Sequence, residues 1–528
     1  MPGPTASHSI LNGSRSKFDR LSIVMIALTA ALLAFAIMPL FLVRVPAMLD
    51  YPNHLARMYL LSGTPSLAYE PAWRVCPNLA MDLIVPTLAR FMDVAIAAKV
   101  FWGASSILIV SGAVFLELTV KGRHRLGGLG AMLALSSLPF AFGEANFGFG
   151  LGLAVWSLGL WIRLRERSAW LRWTVGAVAV AALFVAHMLA LGVYGLAIGL
   201  FELSRFSRRP RFTTLASLTA FMVSPVIIAL AVMALFGGGV GRPAFDWMFD
   251  RKLPKLAMFL NYYHPMLALL EGAVGLGAAM LFAVDRRLRF TRAGAWVLVG
   301  FLLVCLILPE RFFDSWGPDT KVLGALPVLL PAFTNISLPR GPWRVASLAL
   351  VVGVIIANQV GTTWIWFAYQ KDYQELEATF PLLTPGSTVL VGVGDRVGVW
   401  DQPMFHVPTL AAPVANVFVS SLFTVPGEQP IQPKPAYRDL DMAAGSDRSP
   451  PSVSSLMDIA AGGARFSEPN LARWPQRYNY LYVIGEPAPN PLPGTLSELT
   501  IRRRFTLYRV NTAAARSPAG FALSKARP

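Results

Sequence analysis

The chain of 528 residues is 55% hydrophobic and 14% charged, with a mean hydropathy of +0.53. Soluble proteins carry roughly 25% charged residues, so this composition excludes a string of soluble domains and indicates a polytopic α-helical membrane protein. The net charge of +17 does not imply nucleic acid, because the basic residues fall in short clusters between apolar runs, where the positive-inside rule puts them.

Residues 1–20 are polar and basic, with Arg15, Lys17 and Arg20, and form a cytoplasmic tail. Residues 21–43 follow without a charge. A secretory signal has an apolar core of roughly 7–15 residues, so this longer run reads as a retained anchor with the N-terminus in the cytoplasm. The Arg-rich clusters at 121–125, 163–167, 205–211, 285–289 and 340–344 then mark cytoplasmic turns, and an even number of crossings must separate any two of them. Only 37 residues lie between Arg125 and Arg163, and a span needs about 20 with a minimum near 17, so two short crossings turn near residues 143–150. A second short hairpin, between Arg172 and Arg205, turns at Ala186-His-Met188. Polar groups at such tips need protein or water around them, which singles out Glu144, Asn146 and His187.

Further crossings are expected at 213–236, 265–284, 293–308, 322–336 and 345–369. With the anchor, the return over 95–120 and the two hairpins, the transmembrane module 21–369 makes about eleven spans and leaves the C-terminus outside. Residues 370–528 are richer in Pro, Gly, Ser and Asp, with β-like runs at 387–394, 478–485 and 505–510, and should form an extracytoplasmic α/β domain. The Pro- and Ser-rich stretch 427–455 reads as a long irregular loop. Cys76 and Cys305 are too few for a disulfide framework.

The cytoplasmic turns are too short to build a nucleotide site, so chemistry belongs outside. The first external loop, 44–94, opens with Arg44-Val-Pro-Ala-Met-Leu-Asp-Tyr-Pro-Asn-His-Leu-Ala-Arg57. It places Asp50 a few residues beyond the first span, exposed at the interface and ionised near neutral pH. A helix capped by Asn53 then starts after Pro52 and sets His54 and Arg57 on one face. Residues 81–92 form a second, amphipathic surface stretch. An acid beside a His and an Arg can deprotonate a hydroxyl while cations hold a phosphate. The bland alternative is that Asp50 only caps a helix.

On these residues, Leu49-Asp-Tyr-Pro-Asn-His54 above all, with the short paired crossings and the external domain opening at YQELEATFPLLTPGSTVLV and closing with RRFTLYRV, the chain resembles the GT-C class of glycosyltransferases. The resemblance implies a bacterial inner-membrane enzyme. It would move a sugar from a polyprenyl-phosphate-linked donor to an acceptor glycan, lipid or protein at the outer face. Asp50 would then be the general base, with His54, Glu144 and His187 as further catalytic candidates. Cations for the leaving phosphate are sought among Arg57, Arg251, Lys252, Lys255, Arg311 and Lys321, and Tyr263 and His264 could stack on a sugar. Many members carry paired acids in this loop, whereas here one acid precedes Tyr-Pro-Asn-His. A divalent metal shared by Asp50, His54, Glu144 and His187 is conceivable, although no close spacing demands it. The competing classes are a transporter or flippase, for which internal repeats are expected, and a surface-polysaccharide ligase or assembly protein.

Overall fold

The computed structural model describes residues 19–206, 212–236, 245–250, 252, 265–312, 315–337, 340–425, 428–441, 449–462 and 469–511. Helix α1 (Arg20–Leu42) is capped by the Asp19 side chain, which accepts from the Ser22 N–H at 2.9 Å. The loop that follows folds into α2 (Tyr51–Leu61), strand β1 (Tyr69–Pro71) and α3 (Ala80–Leu88). The return is α4 (Val94–Lys121), begun by an Asp93 cap and ended at Gly122 in the left-handed conformation. The expected crossing before Gly143 is broken into α5 (Gly127–Ala134) and α6 (Leu138–Phe142), because Ser136, Ser137 and Pro139 interrupt the apolar run. The long helix α7 (Ala145–Arg163) starts at once after Glu144, so the break spans two residues and not eight.

Helices α8 (Ala169–Ala186) and α9 (Met188–Ser204) share His187 as a single extended residue between them, φ −167° and ψ 125°. Then come α10 (Phe212–Phe236), α11 (Pro265–Val284) and α12 (Arg292–Ile307). The expected return over 322–336 is two short helices, α13 (Pro318–Gly324) and α14 (Leu326–Phe333), followed by strand Thr334–Ile336. The last helix, α15 (Pro342–Glu377), runs eight residues past its expected end at Tyr369, since Asp372, Tyr373 and Leu376 bury against the external domain.

Among the described residues, α1, α4, α7, α8 and α15 are long and apolar enough to cross a membrane. A sixth is added if α10, bent by 42°, counts as one span. Helices α9 and α12 are apolar but shorter. Only 28% of the most apolar part of α1 and 22% of that of α15 is buried, and Val24, Val178, Leu235, Ile307 and Trp364 point outward. Apolar surface on that scale needs a lipid solvent.

The C-terminal part carries a mixed five-stranded sheet. In spatial order it is β6 (Leu496–Arg502), β7 (Phe505–Val510), β5 (Tyr480–Ile484), β2 (Thr388–Val393) and β3 (Phe418–Val419). Strand β2 runs parallel to both β5 and β3, and β7 is antiparallel to its neighbours. The stretch expected to be an irregular loop contains β4 (Ile431–Pro433) and a 3-10 helix at Pro435–Leu440. Strand β4 forms because β1, from the first external loop, pairs with it antiparallel: Tyr69 opposite Pro433 and Pro71 opposite Ile431. One hydrophobic core accordingly runs from α2 and α3 through the feet of α4 and α15 into the sheet, with a second core inside the helical bundle.

Candidate active site

Asp50 lies at the edge of the first of these cores, between Met48 and Tyr51. Its backbone N–H donates to the Phe142 carbonyl at 2.8 Å, and the Leu49 N–H donates to Ala141 at 3.2 Å, which lashes the start of α2 to the end of α6. Gly143 makes the approach possible: its φ is +85°, and a Cβ there would stand 3.0 Å from the Tyr51 nitrogen and 3.3 Å from that of Asp50. Helix α2 begins at Tyr51, three residues earlier than a helix capped by Asn53 would, with Asp50 and not Asn53 in the cap position. The Asp50 carboxylate makes no capping bond, so the helix leaves it available.

That carboxylate is 18% exposed, which corrects the expectation of an acid open to solvent and readily ionised. Burial, and after it the Glu144 carboxylate, push its pKa well above the usual carboxylate range, against the pull of the Lys321 ammonium and the Arg57 guanidinium. Glu144 pairs with Lys321 at 2.8 Å, with Lys321 only 4% exposed. Lys321 sits in α13, which starts at Gly317 in the left-handed conformation. His187 accepts from the Leu189 N–H through Nδ1 at 3.1 Å and stands edge-on to Phe147. The Lys321 charge acts on the His187 ring.

Asn146 serves the scaffold: its Oδ1 accepts from the Met81 N–H at 2.7 Å, while Asn78 Oδ1 accepts from the Met188 N–H at 3.0 Å. These bonds clamp the first loop onto the tips of both hairpins.

The ring Nδ1 of His54 is buried without a hydrogen-bond partner, and burial drives its pKa well below the ordinary histidine value, so it is neutral. Arg57 is 1% exposed and forms a forked pair with the equally buried Asp82, at 2.6 and 3.3 Å. It was expected to face a phosphate; its Nε and Nη2 donate to Asp82, while its Nη1 is buried without a hydrogen-bond partner. Lys252 is also engaged, donating to the Cys305 and Leu308 carbonyls at 2.8 Å each and lying 3.3 Å from Asp319. Arg311 is in a two-residue strand at Arg311–Phe312 that pairs with Phe245–Asp246 and Ser315–Trp316. Arg251, Lys255, Tyr263 and His264 lie outside the described residues.

Sequence reading missed His406. This residue of the external domain is 4% exposed, and its Nε2 is 3.4 Å from Asp50 Oδ1. Its Nδ1 is 3.4 Å from Asn53 Nδ2. Phe423 packs edge-on to both His406 and His54, with centroids 5.0 and 6.2 Å away.

Beside Glu144 lies a small pocket of about 30 Å³. It runs between α4, α5, α6 and α7 and is walled mainly by apolar groups, among them Trp102, Ile109, Leu135, Phe140 and Phe147. No group of three or more His, Cys, Asp or Glu side chains among the described residues is gathered closely enough to hold a metal ion.

The molecule is thus a helical protein of several membrane-type helices and a C-terminal mixed sheet, with a partly exposed pair of carboxylates, Asp50 and Glu144, beside the buried Lys321. No family model and no curated protein matches the chain. It is similar to two solved structures of ArnT from Cupriavidus metallidurans, one in the apo state and one bound to undecaprenyl phosphate. Each alignment covers 93% of this chain and 98% of the other, with a TM-score of 0.45 and identities of 11% and 13%.

Proposed function

We propose that this protein is a membrane glycosyltransferase that moves a sugar from a polyprenyl-phosphate-linked donor to an acceptor at the extracytoplasmic face, with Asp50 as general base. In this reading the chain crosses the bacterial inner membrane eleven times, with its N-terminus in the cytoplasm and residues 370–528 outside. The observation that carries it is the position of the Asp50, Glu144 and Lys321 cluster. One wall of the cluster is built by membrane-type helices with an apolar pocket at Glu144, the other by the external domain. A reactant with a lipid tail and a polar head suits a site flanked by apolar, outward-facing helices on one side and by the external domain on the other.

The chemistry follows from the groups present. The acceptor oxygen attacks the anomeric carbon, its proton passes to Asp50, and the bond from that carbon to the phosphate oxygen breaks. A carboxylate with raised proton affinity is a stronger base once ionised. Lys321, now neutralised by Glu144, supplies positive charge to the departing phosphate when Glu144 yields it.

The test is transfer from a panel of radiolabelled polyprenyl-phosphate hexoses and pentoses by membranes containing the native chain or Asp50→Asn. The native chain should transfer at least one sugar, and the variant should insert normally with activity lowered by about two to four orders of magnitude. Full activity of Asp50→Asn with a donor that the native chain uses removes Asp50 as the base. Failure of the whole panel, together with movement of a lipid across the bilayer, would replace the reading with that of a flippase.

A further inference from the structure

Asn53 is the best-determined amide in the site. Its Oδ1 accepts from the Phe423 N–H at 3.0 Å, and its Nδ2 donates to the Ser421 carbonyl at 2.7 Å. Two backbone groups of opposite polarity therefore fix which end is oxygen and which is nitrogen. The second Nδ2 hydrogen is left for His406 Nδ1, which must accept it. The ring proton of a neutral imidazole then sits on Nε2, the nitrogen 3.4 Å from Asp50 Oδ1.

We infer that His406, its tautomer set by Asn53, is the positioning residue for Asp50: it presents Nε2–H to one carboxylate oxygen and leaves the other for the acceptor hydroxyl. The inference rests on the proposed role of Asp50 as base and makes the external domain a working part of the site. The present separation is long for a bond between N–H and a carboxylate, typically about 2.7–2.9 Å, so the bond shortens when Asp50 ionises.

The other charged and titratable groups around Asp50 cannot do this. Glu144 repels the ionised form. Arg57 is forked onto Asp82 and Lys321 onto Glu144, and they act from a distance. Neither His54, whose Nδ1 is buried without a partner, nor His187, which accepts from the Leu189 N–H and feels the Lys321 charge, is bonded to the Asp50 carboxylate. A neutral donor suits the place, since it stabilises the ionised base without adding a competing cation. Burial drops the His406 pKa from 6.5 to about 3, so the ring does not take the proton itself.

The experiment uses the full chain in membranes and no sugar donor. Dicyclohexylcarbodiimide reacts with protonated, partly buried carboxyls, so its pH-dependent labelling of the Asp50 peptide, read by mass spectrometry with Asp50→Asn as blank, reports when Asp50 loses its proton. Replacing His406 by Ala should move the labelling midpoint up by about one pH unit, because a donor to the charged form has gone. His406→Gln, whose amide nitrogen falls near Nε2, should restore the native midpoint. His406→Asn, whose nitrogen falls near Nδ1, should behave like Ala. The Gln and Asn pair keeps the test decisive even if Ala disturbs the docking of the external domain. Native midpoints in Ala and Asn alike, or the same upward shift in Gln as in Asn, would overturn the inference. Since no sugar is involved, the predicted midpoints with no transfer in any panel would leave the His406 contact standing and remove the glycosyltransferase reading alone.

Discussion

Arg57 and Asp82 are each 1% exposed and 2.6 Å apart, so neither can lose its partner cheaply. Truncating one member of a buried pair strands the other charge, at a cost of about 3–5 kcal/mol, whereas replacing both by apolar residues of similar volume is often neutral. Arg57→Ala should lower the thermal unfolding temperature in detergent markedly. Arg57→Met combined with Asp82→Leu should regain most of the loss. If Arg57→Ala instead unfolds at the native temperature but weakens binding of the polyprenyl-phosphate donor of the proposed reaction, Arg57 belongs to the substrate and not to the scaffold. This pair also shows what single residues disclose in a sequence. Asp50 could be picked out because it follows an uncharged apolar run within a few positions. The partner of Arg57 could not be, since a three-residue offset between His54 and Arg57 says which face they share and nothing of what meets that face. His406 gave still less, as its contact with Asn53 closes a sequence separation of 353 residues, and a lone histidine among Met, Phe, Val and Pro carries no local pattern.

At the level of elements, the approach of α2 to α6 depends on Gly143. Any side chain there meets the Tyr51 and Asp50 backbone nitrogens at 3.0 and 3.3 Å, and the φ of +85° disfavours L-residues independently. Gly143→Ala should therefore shift the start of α2 away from Phe142 and break the Asp50 N–H bond to its carbonyl. The expected result is a stability loss of about 1–2 kcal/mol from the backbone alone, with a larger fall in kcat than in thermal stability, because the carboxylate moves with the helix. Unchanged turnover with a normal unfolding temperature would show that the junction tolerates the displacement. The break at 143 was readable from the distance between two Arg clusters, because bilayer thickness sets a minimum span length. The splitting of 126–142 and 322–336 into short helices was not, since hydropathy averages over the Ser and Pro residues that interrupt the hydrogen-bond ladder.

On the scale of the whole molecule, the first loop and the C-terminal domain are not separate attachments to a bundle. The pairing of β1 with β4, the Asn53 bonds to 421 and 423, and the Tyr69 hydroxyl bond to the Val419 carbonyl at 2.9 Å close one polypeptide surface over the membrane helices. Strands β2, β5 and β7 were each visible as local β-like runs, but the β1 and β4 strands are three residues each, of ordinary composition, that become strands only by meeting each other. The closure carries His406 in a buried, neutral state, with its pKa lowered from 6.5 to about 3. In the unfolded chain this ring takes up a proton as the pH falls below about 6.5, and in the folded chain only near 3. The unfolded form thus binds more protons across that window, and stability falls as the pH is lowered. The stabilisation contributed by His406 is complete above 6.5 and is lost on reaching about 3. His54, partly buried and neutral, pulls in the same direction. Thermal unfolding followed across this range should show the unfolding temperature dropping on acidification, with a smaller drop in His406→Gln, which has nothing to protonate. An equal drop in both proteins would assign the acid sensitivity to other groups and leave His406 with no share in holding the external domain in place.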